Sequence, residues 1–243
     1  MSQIIIYPYN ILESGTVTVT GTPDTGYPEA RLHDRSIDFL WKDTVTEAKD
    51  FHVDQGGGAL AVDFLAVAGH NFNGEDLAWQ YADTLPAWSD AIANWTQAGD
   101  DLIIKTLSSG AAHRYWQLTL TSMVNPQCAE IFMGKGYAFD IQAPQPPSGQ
   151  DLDNVQWNRT VGGSDRSTKF GPARRSRTYS LFLSAAELAE FDAAMAYLDE
   201  YSKPFFITDH AGDTFFARLN GPPSQAWDHK THTHINLSIL EVL

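Results

Sequence analysis

Apolar and polar residues alternate in short runs along most of the chain. TVTVT at 16–20 alternates, and ALAVDFLAVAG at 59–69 is an apolar run that ends in glycine. DLAWQYA (76–82), DLIIKTL (101–107), YWQLTLT (115–121) and AEIFMG (129–134) follow, with turn residues between them. Many short runs of period two, with no long helical pattern, predict a β-sandwich over the first part of the chain. Trp41 and Trp116 are expected in its core.

The later part reads differently. TYSLFLS at 178–184 alternates like a strand, and SAAELAEFDAAMAYLDE then takes the period of a helix over about 184–199. Ser184 is its expected cap, with Glu187 completing a capping box. Leu188, Phe191, Met195 and Leu198 share one face at helical spacing. PFFIT (204–208), TFFARL (214–219) and HINLSILEVL (234–243) return to strand, with HAGD at 210–213 as a hairpin turn. Between the two parts, residues 142–154 (QAPQPPSGQDLDN) are rich in Pro, Gln and Asp and lack a hydrophobic period, which reads as a linker. The expected organisation is mainly β: a sandwich over 1–141, a linker over 142–154, and a β-domain with one packed helix over 155–243.

Charge narrows the partners. The net charge is −14; residues 1–150 carry 7 basic and 18 acidic groups, residues 151–243 carry 9 and 12. Such a chain is repelled by nucleic acid phosphates. The one basic cluster, KFGPARRSR, holds Lys169, Arg174, Arg175 and Arg177, and a protein contact or solvated loop explains it. A single cysteine, Cys128, excludes an intrachain disulfide. No signal peptide is expected at MSQIIIYPYN, and no apolar run is long enough to span a bilayer.

Candidate chemistry is sparse. His70–Asn71 lies between Gly69 and Asn73–Gly74, where a polar turn is favoured over a catalytic histidine. His232 and His234 share one strand face and form a weak metal pair beside the alternative of a solvated strand end. VGGSDRS at 161–167 is not a phosphate loop, and no GxSxG elbow occurs. Cys128 has no local activator. Trp88 and Trp95 lie in a turn-rich stretch, where each either stacks on a sugar or protein ligand or tucks under its loop. No cofactor is expected.

In order, NILESGTVTVTG, GYPEARLHDRSIDFLW, LAVDFLAVAGHNF, LAWQYAD, HRYWQLTLT and EIFMGKG resemble the landmarks of the discoidin-like (F5/8 type C, galactose-binding-like) jelly roll. More narrowly they resemble the version found in bacteriophage and prophage tail proteins, over most of residues 8–137. In that module the Gly-His-Asn stretch is a connection between strands. Many members carry Asp-Gly, and a Thr two residues before the Trp, in a loop that binds structural calcium. Here Arg35 and Phe39 replace the Gly and Thr, leaving Asp34 and Asp38 as the oxygen donors. The second domain resembles, by element order, the one-helix β-domains that build rings in tail tubes and baseplates.

The resemblance implies a structural component of a tailed-phage virion, a minor tail or baseplate protein, assembled in the bacterial cytoplasm. Its expected partners are other tail proteins, copies of itself and host-surface carbohydrate, without nucleic acid or membrane insertion. The expected oligomer contacts are Arg174, Arg175, Arg177, Phe205, Phe206, Phe215 and Phe216. In each Phe pair one ring enters the core and the other needs cover. The alternative is a soluble carbohydrate-binding protein with an accessory domain; a third reading is an enzyme with an unrecognised site.

Overall fold

The computed structural model describes residues 3–141, 148–152, 155–159, 165–169, 173–199, 202–229 and 232–242. It is mainly β, and its two compact units are residues 1–6 with 137–243, and residues 7–136. The chain opens in the first unit with β1 (Gln3–Tyr7).

It then builds the second unit. The elements are α1 (Ile11–Ser14), β2 (Thr16–Val19), β3 (Trp41–Lys42), β4 (Glu47–Asp54), β5 (Ala61–Ala68) and β6 (Asp76–Ala82). They continue with β7 (Ser89–Asp90), β8 (Trp95–Thr96), β9 (Ile103–Ala112), β10 (Tyr115–Met123), β11 (Gln127–Cys128) and β12 (Glu130–Gly134). One sheet runs β2-β4-β10-β6-β7, with β8 also on β6; the other runs β12-β5-β9. Inward residues of the first sheet (Phe51, Val53, Leu77, Trp79, Trp116, Leu118) meet Val67, Ile103, Ile131 and Met133 of the second in one core. This is the sandwich the alternation predicts. Trp41 and Trp116 have no exposed surface. The outer side of β5 is covered as well: Phe64 stacks on Tyr7, centroids 3.7 Å apart. That explains why FLAVA is continuously apolar.

The chain then returns to the first unit. It forms β13 (Tyr137–Asp140), β14 (Ser148–Leu152), β15 (Val155–Arg159), β16 (Asp165–Lys169), β17 (Arg174–Ser184), α2 (Ala185–Tyr197), β18 (Phe205–Thr208), β19 (Thr214–Leu219), β20 (Ser224–His229) and β21 (His232–Glu241). The sheet order is β13-β1-β18-β19-β21-β17-β14, with β20 on β21. Ile141 bridges back to Leu181, so the sheet curls around its core of Ile4, Ile6, Phe139, Leu181, Phe191, Phe205 and Ile235. The capping box is present: Glu187 N–H donates to Ser184 Oγ (3.4 Å), and Ser184 N–H to Glu187 Oε2 (2.8 Å).

Three sequence expectations are corrected. The N-terminal strand does not belong to the sandwich. β1 pairs with β13, Ile6 opposite Tyr137, so the sandwich is inserted between two neighbouring strands of the other unit. Residues 148–152 are not linker: Ser148–Leu152 pair with Arg174–Thr178, taking their order from the partner strand. Residues 142–147 and 153–154 lie outside the described residues. Phe205, Phe206, Phe215 and Phe216 are 0, 0, 4 and 5 % exposed, so no ring needs a neighbouring subunit for cover. Phe206 and Phe216 pack on each other at 4.8 Å.

Candidate functional site

His70 and Asn71 fasten loops together. β5 ends at Ala68, and Gly69 follows with φ +62°, where a Cβ would sit 2.6 Å from that of Ala129. Only glycine fits such a turn. His70 is 4 % exposed; its Nε2 lies 2.7 Å from the Asp101 carbonyl, and its Nδ1 accepts from the Phe72 N–H (3.1 Å). A carbonyl only accepts and an amide N–H only donates, so the ring is neutral with its proton on Nε2. Asn71 donates to the Asn125 carbonyl and accepts from the Gln127 N–H. Both ring nitrogens of His70 are engaged, so it has none free for catalysis.

Burial lowers the His70 pKa below the usual 6.5. The unfolded chain therefore binds this proton first as pH falls. The histidine's contribution is complete above about pH 6.5 and is lost as pH drops through the lower folded value. His70→Gln keeps an acceptor and a donor without titrating. It is expected to flatten the loss of stability between about pH 7.5 and pH 5, read by urea unfolding.

Cys128 is fully buried, and burial pushes its thiol up, so it stays protonated. Asp34 Oδ1 accepts from the Ser36 N–H, and the Asp38 N–H donates to Ser36 Oγ; each serves its own turn. Arg35 instead occupies the loop. It takes φ +59°, its N–H donates to Glu130 Oε2 (2.9 Å), Nη2 donates to the Pro8 carbonyl (2.7 Å), and Nε pairs with Glu13. The guanidinium thus ties this loop to Pro8 and Glu13. His232 lies flat on Phe182 (4.5 Å, 2°), and no third His, Cys, Asp or Glu joins it and His234 among the described residues.

Two of the three arginines expected at an oligomer contact already have partners in the chain. Arg175 reaches Asp213 (3.3 Å) and Glu241, and Arg177 reaches Asp151 (3.0 Å). Arg174 is half-buried, its Nε without a hydrogen-bond partner.

The two tryptophans separate. Trp95 packs against the edge of the sandwich core, with Lys105 Nζ 4.4 Å from its ring centroid and its Nε1 donating to Gln97. Trp88 meets His52 edge-on at 5.5 Å, and His52 lies 5.6 Å from Tyr115. These rings lie on the outer side of the β2-β4-β10-β6-β7 sheet. Strand alternation puts Phe51, Trp79, Trp116 and Leu118 inside and sends His52, Gln80, Gln117 and Thr119 out. Pairing aligns His52, Gln117, Gln80 and Asp90 in one row across four strands, and Asp50, Thr119 and Ala78 in the next.

The row is wired. Asp90 Oδ1 accepts from Gln80 Nε2 (2.7 Å), and Gln80 Oε1 accepts from Gln117 Nε2 (2.7 Å). Gln117 is 6 % exposed, and its Oε1 has no protein partner among the described residues. Where the next row carries small side chains, a groove of about 380 Å³ opens, lined by Asp50, Asp76, Ala78, Gln80, Gln117 and Thr119 among others. At the Tyr115 end, Arg114 grips Asp54 with two 2.9 Å hydrogen bonds and covers the tyrosine ring, holding the Asp54 carboxyl down at about 2. Burial lowers the His52 pKa, favouring a neutral ring against Trp88.

A groove lined by amides and carboxylates, with the His52–Trp88 pair at the strand beside Gln117, is chemistry for binding a polyol: ring faces meet C–H surfaces, and amides and carboxylates meet hydroxyls. Sequence reading selected Trp88 but missed His52, Gln80 and Gln117. The signal lay in the WQY and WQL triplets, where a glutamine alternates with core residues; that the two pair appears only in the sheet.

No protein-family model matches the chain, and no curated protein matches. Solved structures share part of it. A module named CpGH89CBM32-6, produced by Clostridium perfringens, is 18 % identical with a TM-score of 0.44, over 53 % of this chain and 100 % of that one. Chitosan-binding module 1 from a chitosanase/glucanase of Paenibacillus sp. IK-5 is 15 % identical at 0.43, over 52 % and 99 %. A Ruminococcus gnavus GH29 fucosidase in complex with fucose is 14 % identical at 0.45, over 54 % of this chain but 28 % of that one. None of these likenesses says what this chain binds.

Proposed function

We propose that this chain is a carbohydrate-binding protein without chemistry of its own. The 7–136 unit holds the sugar in the groove on its outer sheet face, and the other unit carries it as an accessory or attachment domain. The observation that supports this most is the hydrogen-bonded row Asp90–Gln80–Gln117, which presents the amide carbonyl of a largely buried glutamine next to the Trp88–His52–Tyr115 cluster. Pre-oriented polar groups next to an aromatic surface lower the ordering cost of binding. The test is an array of neutral, amino and acidic oligosaccharides, followed by titration calorimetry. Trp88→Ala is expected to weaken binding about tenfold or more, an aromatic stacking contact being worth ~1–3 kcal/mol. Binding that survives this change, and Gln117→Ala as well, would move the site elsewhere.

A second reading is a minor tail or baseplate component of a virion, assembled in the bacterial cytoplasm among tail proteins and copies of itself. One observation supports it. The β15–β16 ribbon pairs with no other strand among the described residues. A lone two-stranded ribbon is marginal in water, and a neighbouring chain is a natural partner. Light scattering that shows a defined ring, lost when residues 155–169 are removed, supports this reading; a stable monomer argues against it.

A further inference from the structure

We infer that the groove takes a cationic amino sugar, an oligosaccharide of 2-amino-2-deoxyhexose with its amines unacetylated, an inference that rests on the carbohydrate reading above. The lining contains Asp50 and Asp76 and neither lysine nor arginine. Among the described residues, Asp50, Asp76 and Asp90 make no ion pair. Two basic groups close to the lining in sequence are committed elsewhere. Lys49, next to Asp50 in sequence, turns inward, fully buried, to Asp43 (2.9 Å) and Glu47 (3.0 Å). Arg114 is held by Asp54, and Glu75 adds another carboxylate through Thr121 Oγ1 (2.7 Å).

The charged groups in the lining, Asp50 and Asp76, are acceptors, beside the neutral amides of Asn94, Gln80 and Gln117. Gln117 uses one amide proton on Gln80 and keeps its Oε1 free, while the carboxylates of Asp50 and Asp76 take only weak or single hydroxyl contacts, from Thr20 (3.5 Å) and Thr96 (2.5 Å). A ligand that satisfies the two carboxylates and the Gln117 Oε1 must bring donors to them. An ammonium beside hydroxyls meets this requirement, and its charge answers two carboxylates otherwise left unpaired. An acidic sugar would bring like charge into the same space. The groove volume of about 380 Å³ falls within the roughly 300–1,000 Å³ of small-molecule sites, room for a short segment of an oligosaccharide.

The experiment compares three tetramers, of glucosamine, N-acetylglucosamine and galacturonate, with tetralysine as a charge control, on the full chain. The glucosamine tetramer is expected to bind about tenfold more tightly than the acetylated one, as a charge-assisted hydrogen bond predicts. Raising the salt is expected to narrow that ratio. Asp50→Asn and Asp76→Asn are each expected to narrow it too, with circular dichroism and melting showing intact folds. Equal binding of glucosamine and N-acetylglucosamine overturns the amino-sugar assignment and leaves the carbohydrate reading standing. Tetralysine binding as tightly as the glucosamine tetramer also overturns it, because charge alone then suffices. Failure of every sugar to bind the folded protein overturns both.

Discussion

Removing residues 1–6 is expected to unfold the unit at the far end of the chain and leave the neighbouring one intact. β1 lies between β13 and β18, and Ile4 and Ile6 have no exposed surface. Their loss removes two core side chains, each worth about 2–5 kcal/mol on truncation, together with the hydrogen bonds on both sides of the strand. That exceeds a large share of the ~5–15 kcal/mol by which a domain is stable. Calorimetry of the full chain is expected to resolve two transitions, one of which disappears in the shortened protein. A fragment of residues 7–136 is correspondingly expected to fold alone, whereas one ending at Asp140 carries β1 and β13 without their sheet. Loss of both transitions on removing residues 1–6 would show that the two units fold as one.

The second large effect is expected at Arg35. Arg35→Gly suits the backbone, since φ is +59°. It leaves Glu13 and the Pro8 carbonyl without the guanidinium and exposes Glu130, which burial already pushes well above the usual carboxylate range. Breaking a buried ion pair costs about 3–5 kcal/mol, and glycine removes backbone strain as a competing cause. Denaturant unfolding of the 7–136 unit reads it. A change below about 1 kcal/mol would mean that the pair behaves like an exposed one.

How far the sequence reaches depends on how local each cause is. The alternation in YWQLTLT already places Trp116 and Leu118 inward, because period two needs only neighbours. The Ser184–Glu187 capping box is likewise contained in four residues. QIIIY at 3–7 is different. It is apolar on both faces and fits either unit, and its partner Tyr137–Asp140 lies some 130 residues away. SGQDL at 148–152 has no strand pattern and takes its place from β17. The Phe pairs show the same limit: alternation says that two rings point outward from a core, but not that the chain itself covers them. The groove was half legible. Trp88 draws attention as a tryptophan in a polar loop. Gln80 and Gln117 acquire meaning only when β6 and β10 lie side by side and Asp90 closes the row.

Carbohydrate binding by the outer face of this sheet is tested by where a sugar lands. Amide and indole NMR shifts of the full chain, titrated with the tightest oligosaccharide from the array, report this residue by residue. Shifts are expected to concentrate at Asp50, His52, Gln80, Trp88, Gln117 and Thr119, with the Gln80 and Gln117 side-chain amides among the largest. Shifts confined to other surfaces, with those six residues unmoved at saturation, would contradict it.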